Sequence, residues 1–188
     1  MTFIRHSPRR LHFCGLGFCL LALTAAFDAG ATSLLAYYEF EGNYSATVGP
    51  DASPAQNPGE LSFVGGFRGQ AVDINDPTAS SNSGGSINIP INANPSALNE
   101  VTFGGWVNVD SNEFDGFMAI DNGGWDRGIT VSNNSNAPGF GIASGGSPAM
   151  VGTLTPGSWQ FVVATFNKSA NQSVLYVGDR NPGTLTTL

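Results

Sequence analysis

From Leu34 onward the apolar residues come in short runs, and Gly, Pro, Asn or Asp interrupts nearly every window before a helical period can establish itself. Such runs, rich in Val, Ile, Phe, Tyr and Thr and separated by turn residues, predict an all-β domain, an antiparallel sandwich or barrel. The first predicted strand is Leu34–Phe40, with Ala36, Tyr38 and Phe40 on one face and Tyr37 and Glu39 on the other. Residues 45–60 read as a long loop. Leu61–Phe67 and Gln70–Ile74 follow as strands, then a loop over 76–85 and a short strand over Ser86–Ile91. Val101–Val109 alternates cleanly, with Val101, Phe103, Gly105, Val107 and Val109 on one face and Thr102, Gly104, Trp106 and Asn108 on the other. Further strands are predicted at Phe114–Ile120, Gly128–Val131, Phe140–Ala143, Ala149–Leu154 and Ser173–Val177. Trp159–Phe166 (WQFVVATF) is almost continuously apolar, which predicts a central strand covered on both faces.

The N-terminus has a different pattern. Arg5, Arg9 and Arg10 precede the apolar stretch Cys14–Phe27, and Ala29-Gly30-Ala31 supplies small residues where a signal peptidase cuts. About 14 apolar residues are too few to span a bilayer comfortably. The expectation is a secretory signal over 1–31, with 32–188 as one exported domain, secreted or held at the cell surface.

Removing that leader changes the chemistry. Both cysteines (Cys14, Cys19) and both histidines (His6, His12) leave with it, which excludes disulfides, thiol nucleophiles, Ser-His-Asp triads and His-based metal sites. Three of the seven basic residues (Arg5, Arg9, Arg10) and one of the fourteen acidic ones (Asp28) also leave. Four then stand against thirteen, a net charge of −9. Nucleic acid would be repelled by such a surface. A chain of this size buries roughly 68–70% of its unfolded surface, enough for a core without disulfides.

The motifs, taken in order, resemble a known family. Tyr37, Tyr38, Phe40 and Gly42 form a Tyr-Tyr-x-Phe-x-Gly opening strand. Gly66, Gly69, Ala71 and, more loosely spaced, Asp73 follow the pattern of its glycine hairpin. Thr102, Phe103, Trp106 and Val107 make a Phe-Thr-x-x-x-Trp-Val-type strand with Phe and Thr exchanged. Trp159, Val163, Ala164 and Phe166 match Trp-x-x-Val-Ala-x-Phe, and Leu175, Tyr176 and Val177 follow. Over residues 34–178 the chain thus resembles the laminin-G-like jelly roll of the concanavalin A-like lectin/glucanase superfamily, in its bacterial exported form. That resemblance implies a concanavalin-like jelly-roll sandwich and an exported module binding carbohydrate or another extracellular ligand such as a surface protein. It departs at Gly178-Asp179, where the family has Asp-Gly. The family also continues for several strands, and often into a Pro-Glu-Pro sorting tail, so a stop at Leu188 implies either a fragment or a bare sheet edge.

Candidate chemistry gathers at one turn. Asp121, Asn122 and Asp126 surround Gly123-Gly124, where carboxylates, an amide and carbonyls could converge on calcium. The same residues serve equally as a hairpin turn, with Asp126 paired to Arg127 or capping backbone amides. Asp73, Asn75 and Asp76 form a poorer second cluster. Trp125 and Phe140 lie beside these acids in glycine-rich surroundings, and with Asn122 they are the candidate sugar-binding residues, aromatic platform plus hydrogen-bonding amide. Trp106 and Trp159, inside strands, read as core packing. The superfamily's glucanases carry Glu-x-Asp-x-x-Glu on one strand. Here Glu113 and Asp115 are followed by Met118, so the retaining carboxylate pair is incomplete and no enzyme is expected. A structural or adhesive module without a small-ligand site is the rival reading, and a glycoside hydrolase a distant third.

Overall fold

A computed structural model describes residues 33–75, 84–110, 115–120, 126–132, 139–178 and 185–187, the last as backbone only. Its described residues contain fourteen strands and no α-helix. No helix among them is long and apolar enough to cross a membrane. Three small hairpins or bridges come first. β1 (Tyr37–Tyr38) pairs with β2 (Ala46–Val48), and β3 (Ser53–Pro54) pairs with β6 (Ile87–Asn88) across the hairpin of β4 (Leu61–Gly65) and β5 (Gln70–Ile74). The expected loop over 45–60 therefore holds two short strands and a 3-10 turn at Pro58–Glu60. The expected Leu34–Phe40 strand is cut to two residues, and beyond it Phe40 (φ 55°) and Gly42 (φ 72°) turn the chain back.

The rest is two four-stranded antiparallel sheets. β7 (Glu100–Asn108), β12 (Trp159–Asn167), β13 (Gln172–Gly178) and β14 (Leu185–Thr187) form one, ordered β14-β13-β12-β7. β8 (Asp115–Ile120), β9 (Arg127–Val131), β10 (Phe140–Ala143) and β11 (Ala149–Gly152) form the other, ordered β11-β10-β9-β8. β14 is a strand the sequence pattern did not reveal; it pairs along β13 from Tyr176 to Gly178.

The sheets meet face to face, as an all-β sandwich requires. Ile129, Val131 and Phe140 from one sheet pack against Val162, Ala164, Phe166, Leu175 and Val177 from the other. Around them lie Val101, Phe103 and Val107, so of the two faces of β7 this one turns inward. Close packing leaves no room at some backbone positions. A Cβ on Gly152 would stand 2.5 Å from Val177 Cγ2 and 3.2 Å from Phe140 Cβ, so glycine lets β11 approach β13.

β12 corrects the expectation of a strand covered on both faces. Its burial alternates: Gln160, Val162, Ala164 and Phe166 are buried, whereas Trp159, Phe161, Val163 and Thr165 are only half-buried. The apolar run has an outer face because the sheet carries only partial cover there. Trp106, directly across from Phe161 in register, lies on that outer face and is 37% exposed. It is not a core residue. Phe67, from the β4–β5 turn, stacks on it at 3.8 Å and 12°, which holds the small hairpin against the sheet. The strand buried throughout is β9, where all five residues are enclosed.

Candidate ligand groove

The inward-facing row of β9 is Arg127, Ile129 and Val131. Ile129 and Val131 enter the core. Arg127 is one step nearer the end of the sandwich, and its side chain is still only 1% exposed. A buried guanidinium needs acceptors, since desolvating a charge without partners is costly. Nη1 donates to the carbonyl of Ala93 at 3.0 Å and Nη2 to that of Asn99 at 3.1 Å. The ring of Phe166 faces the same cation, 5.8 Å from Cζ to centroid. Burial lowers the Arg127 pKa, and the negative charge of Asp126 beside it raises it in part. A guanidinium keeps its proton in proteins, so the position stays cationic.

Those two carbonyls belong to the connection between β6 and β7, which Arg127 thereby fastens across the end of the core. The connection is also folded locally. Asn94 Oδ1 accepts from the Ser96 amide (2.9 Å) and hydroxyl (2.7 Å), an Asx turn. The Asn99 carbonyl accepts a second bond, from the Lys168 amide at 2.9 Å, and Asn99 Oδ1 accepts from the Ser169 hydroxyl at 2.9 Å. The β12–β13 turn is thus tied to the same point. Within that turn Asn167 Oδ1 accepts from the Ala170 amide (2.8 Å), and Asn167 Nδ2 donates to Glu100 Oε1 (2.6 Å).

Outside Arg127 these segments leave an open groove of about 420 Å³. Arg127 and Phe166 form its floor, and Pro95 its lip. One wall is the β10–β11 connection, with Ser144 and Ser147 between Ile142 and Ala149. The other is the β12–β13 turn, with Asn167, Lys168, Asn171, Gln172 and Ser173. Ser144, Ser147, Lys168, Asn171 and Gln172 are solvent-exposed. Hydroxyls, amides and one ammonium thus line the groove together with the apolar Pro95, Ile142 and Ala149. This set can hydrogen-bond a polyhydroxylated ligand, and the volume lies within the range of small-molecule sites.

None of the described residues singled out from sequence as site candidates lines this groove. Asp121, Asn122 and Trp125 lie outside the described residues, as does Glu113. Asp126 stands at the start of β9, where its Oδ2 accepts from Asn94 Nδ2 at 3.4 Å. Phe140 is wholly buried in the core, so its ring offers no face to a ligand; as a sugar platform it is corrected to a packing residue. Asp73 accepts from the Ser62 hydroxyl at 3.4 Å across the β4–β5 ladder, and the Asn75 amide donates to the Glu60 carbonyl; Asp76 lies outside the described residues. Asp115 Oδ1 accepts from the amide of Gly116 at 2.6 Å. Among the described residues no group of three His, Cys, Asp or Glu side chains is placed to hold a metal ion.

The groove itself was missed. Asn167 to Gln172 reads in sequence as nothing more than a polar turn between two apolar strands. Arg127 did carry a signal, because it keeps the two-residue step with Ile129 and Val131 and so belongs to the core-facing row. No family model, curated protein or solved structure matches the chain.

Proposed function

We propose that this protein is an exported carbohydrate-binding module on a concanavalin-like, laminin-G-type jelly roll, with the end groove as its sugar site. The observation that carries the reading is the groove wall. Serine hydroxyls and Asn/Gln amides on two turns line the groove beside half-buried Ile142, and the β12–β13 turn is pinned by hydrogen bonds before any ligand arrives. Preorganised polar groups of this kind suit the hydroxyl edges of a sugar ring, while half-buried Ile142 and Pro95 suit its C–H faces. Export rests on the leader over 1–31. Binding rather than hydrolysis rests on the incomplete Glu113, Asp115, Met118 pattern.

A glycan array tests the proposal. At least one reproducible hit, competed by the free sugar, should be lost in Ser147→Tyr, which fills the groove from an exposed position. An array without any competable hit would leave the rival reading, a structural or adhesive surface module. The exposed apolar side chains near the start of the domain, Leu34 (65%), Leu35 (42%) and Tyr37 (47%), are what favours that rival.

A further inference from the structure

We infer that the groove selects a sugar bearing a negative charge, a uronate-containing oligosaccharide held through Lys168 above the Arg127 floor; this rests on the sugar-binding reading of the groove. The distribution of charge is the evidence. The chain has fourteen acidic residues against seven basic ones. Among the described residues only Arg68, Arg127 and Lys168 are cationic, and two of these three line the groove. No Asp or Glu lines it among the described residues. In an acidic chain, the two charged side chains that line this groove are both basic.

The neighbouring acids do not reverse this. Glu100 and Asp126 are outside the lining; Glu100 turns a carboxylate oxygen to Asn167 Nδ2 and Asp126 one to Asn94 Nδ2. Although Asp126 partly offsets the Arg127 charge, the exposed Lys168 ammonium is the charged group that a ligand in the groove meets. Arg127, almost inaccessible and held by two carbonyls, acts as a fixed positive charge beneath the floor rather than as a direct contact. Lys168 is exposed, and its backbone is fastened by the bond to Asn99, so the root of its side chain is fixed while the ammonium can reach a ligand. An ammonium carries three donors and suits a carboxylate, whereas a neutral sugar gives it no charge to meet. The serines and amides around it would then take the hydroxyls.

The test uses the purified protein and glycans in matched pairs, each uronate oligomer as free acid and as methyl ester. Oligogalacturonate, oligoglucuronate and oligomannuronate would be titrated calorimetrically. The free acids should bind about tenfold more tightly than their esters, the size of one charge-assisted hydrogen bond. Salt should narrow that ratio, since exposed charges are screened over about 10 Å at 0.1 M. Lys168→Gln should bring the ratio towards one, and Lys168→Arg should preserve it. A sulfated sugar that loses its advantage in Lys168→Gln would support the same anion chemistry with sulfate as the charge. Equal affinity for acid and ester, or an acid preference untouched by Lys168→Gln, would overturn charge selection. If neutral glycans alone bind, charge selection fails and the sugar-binding function stands. If no glycan of either kind binds, both fail together.

Discussion

The guanidinium carbon of Arg127 lies 5.8 Å from the centroid of the Phe166 ring, so the inward row of one sheet ends in a cation facing an aromatic ring of the other. Both side chains are enclosed, at 1% and 3% exposure. The pair closes the core and, with the carbonyls of Ala93 and Asn99, fixes the loop that lips the groove.

Arg127→Met should therefore destabilise the fold even though it keeps an apolar side chain of similar length. The Ala93 carbonyl loses its side-chain donor, whereas the Asn99 carbonyl retains the Lys168 amide. Stranding one buried acceptor costs about 1–3 kcal/mol. A denaturant titration reads this as a lower midpoint, and an unchanged midpoint would show that the guanidinium adds nothing to the closure.

The alternation along β12 orders a second set of variants. Phe166→Ala removes a side chain buried among Phe103, Arg127 and the core, and should cost on the order of 3–5 kcal/mol. Trp159 is half-buried, so Trp159→Ala should cost clearly less despite deleting the larger residue. Thermal melts of the two variants settle the order. The reverse ranking would mean that the outer face of this sheet is covered after all.

Tyr38 gives a pH signature. Its hydroxyl donates to the Pro50 carbonyl at 2.7 Å, and burial, with the charge of Asp51 second, raises its pKa above the usual tyrosine value of about 10. The folded state therefore holds this proton more tightly than the unfolded chain does. The resulting stability is complete below the unfolded pKa and is lost as pH rises through the folded one. A difference titration at the phenolate absorption band, wild type minus Tyr38→Phe, should show the missing group ionising later than a free tyrosine. A missing group that ionises at or below the free value would contradict the environment described here.

Calcium should have little effect on the described end of the Asp121–Asp126 turn. Asp126 accepts from Asn94, and its charge lies beside the buried Arg127 cation, so a divalent ion there would face a fixed positive charge. Binding at 100 times the dissociation constant would add about 2.7 kcal/mol to stability. The expected result is a melting curve that chelator leaves in place. A calcium-dependent rise that disappears in Asp121→Asn would establish the turn as a metal site.

What the sequence determined was local and periodic. Alternation in Val101–Val109 separated the two faces of β7, and the apolar run at Trp159–Phe166 located β12. The first follows from the two-residue repeat of a strand and the second from a run of apolar, β-branched and aromatic residues, both written into neighbouring residues. The tertiary structure decided what depends on distant partners. Whether the second face of β12 is covered depends on how much chain packs over it, and no run of residues encodes that. β14, with its Thr-rich run, becomes a strand through pairing with β13. Phe140 and Trp106 exchanged roles, one into the core and one onto the outer sheet face, because an aromatic residue in a strand does not say which side its sheet turns inward. The groove lay furthest from sequence reasoning. It exists only where turns separated by tens of residues meet above Arg127, and a charge on the core-facing row could be understood only once the carbonyls that receive it were in place.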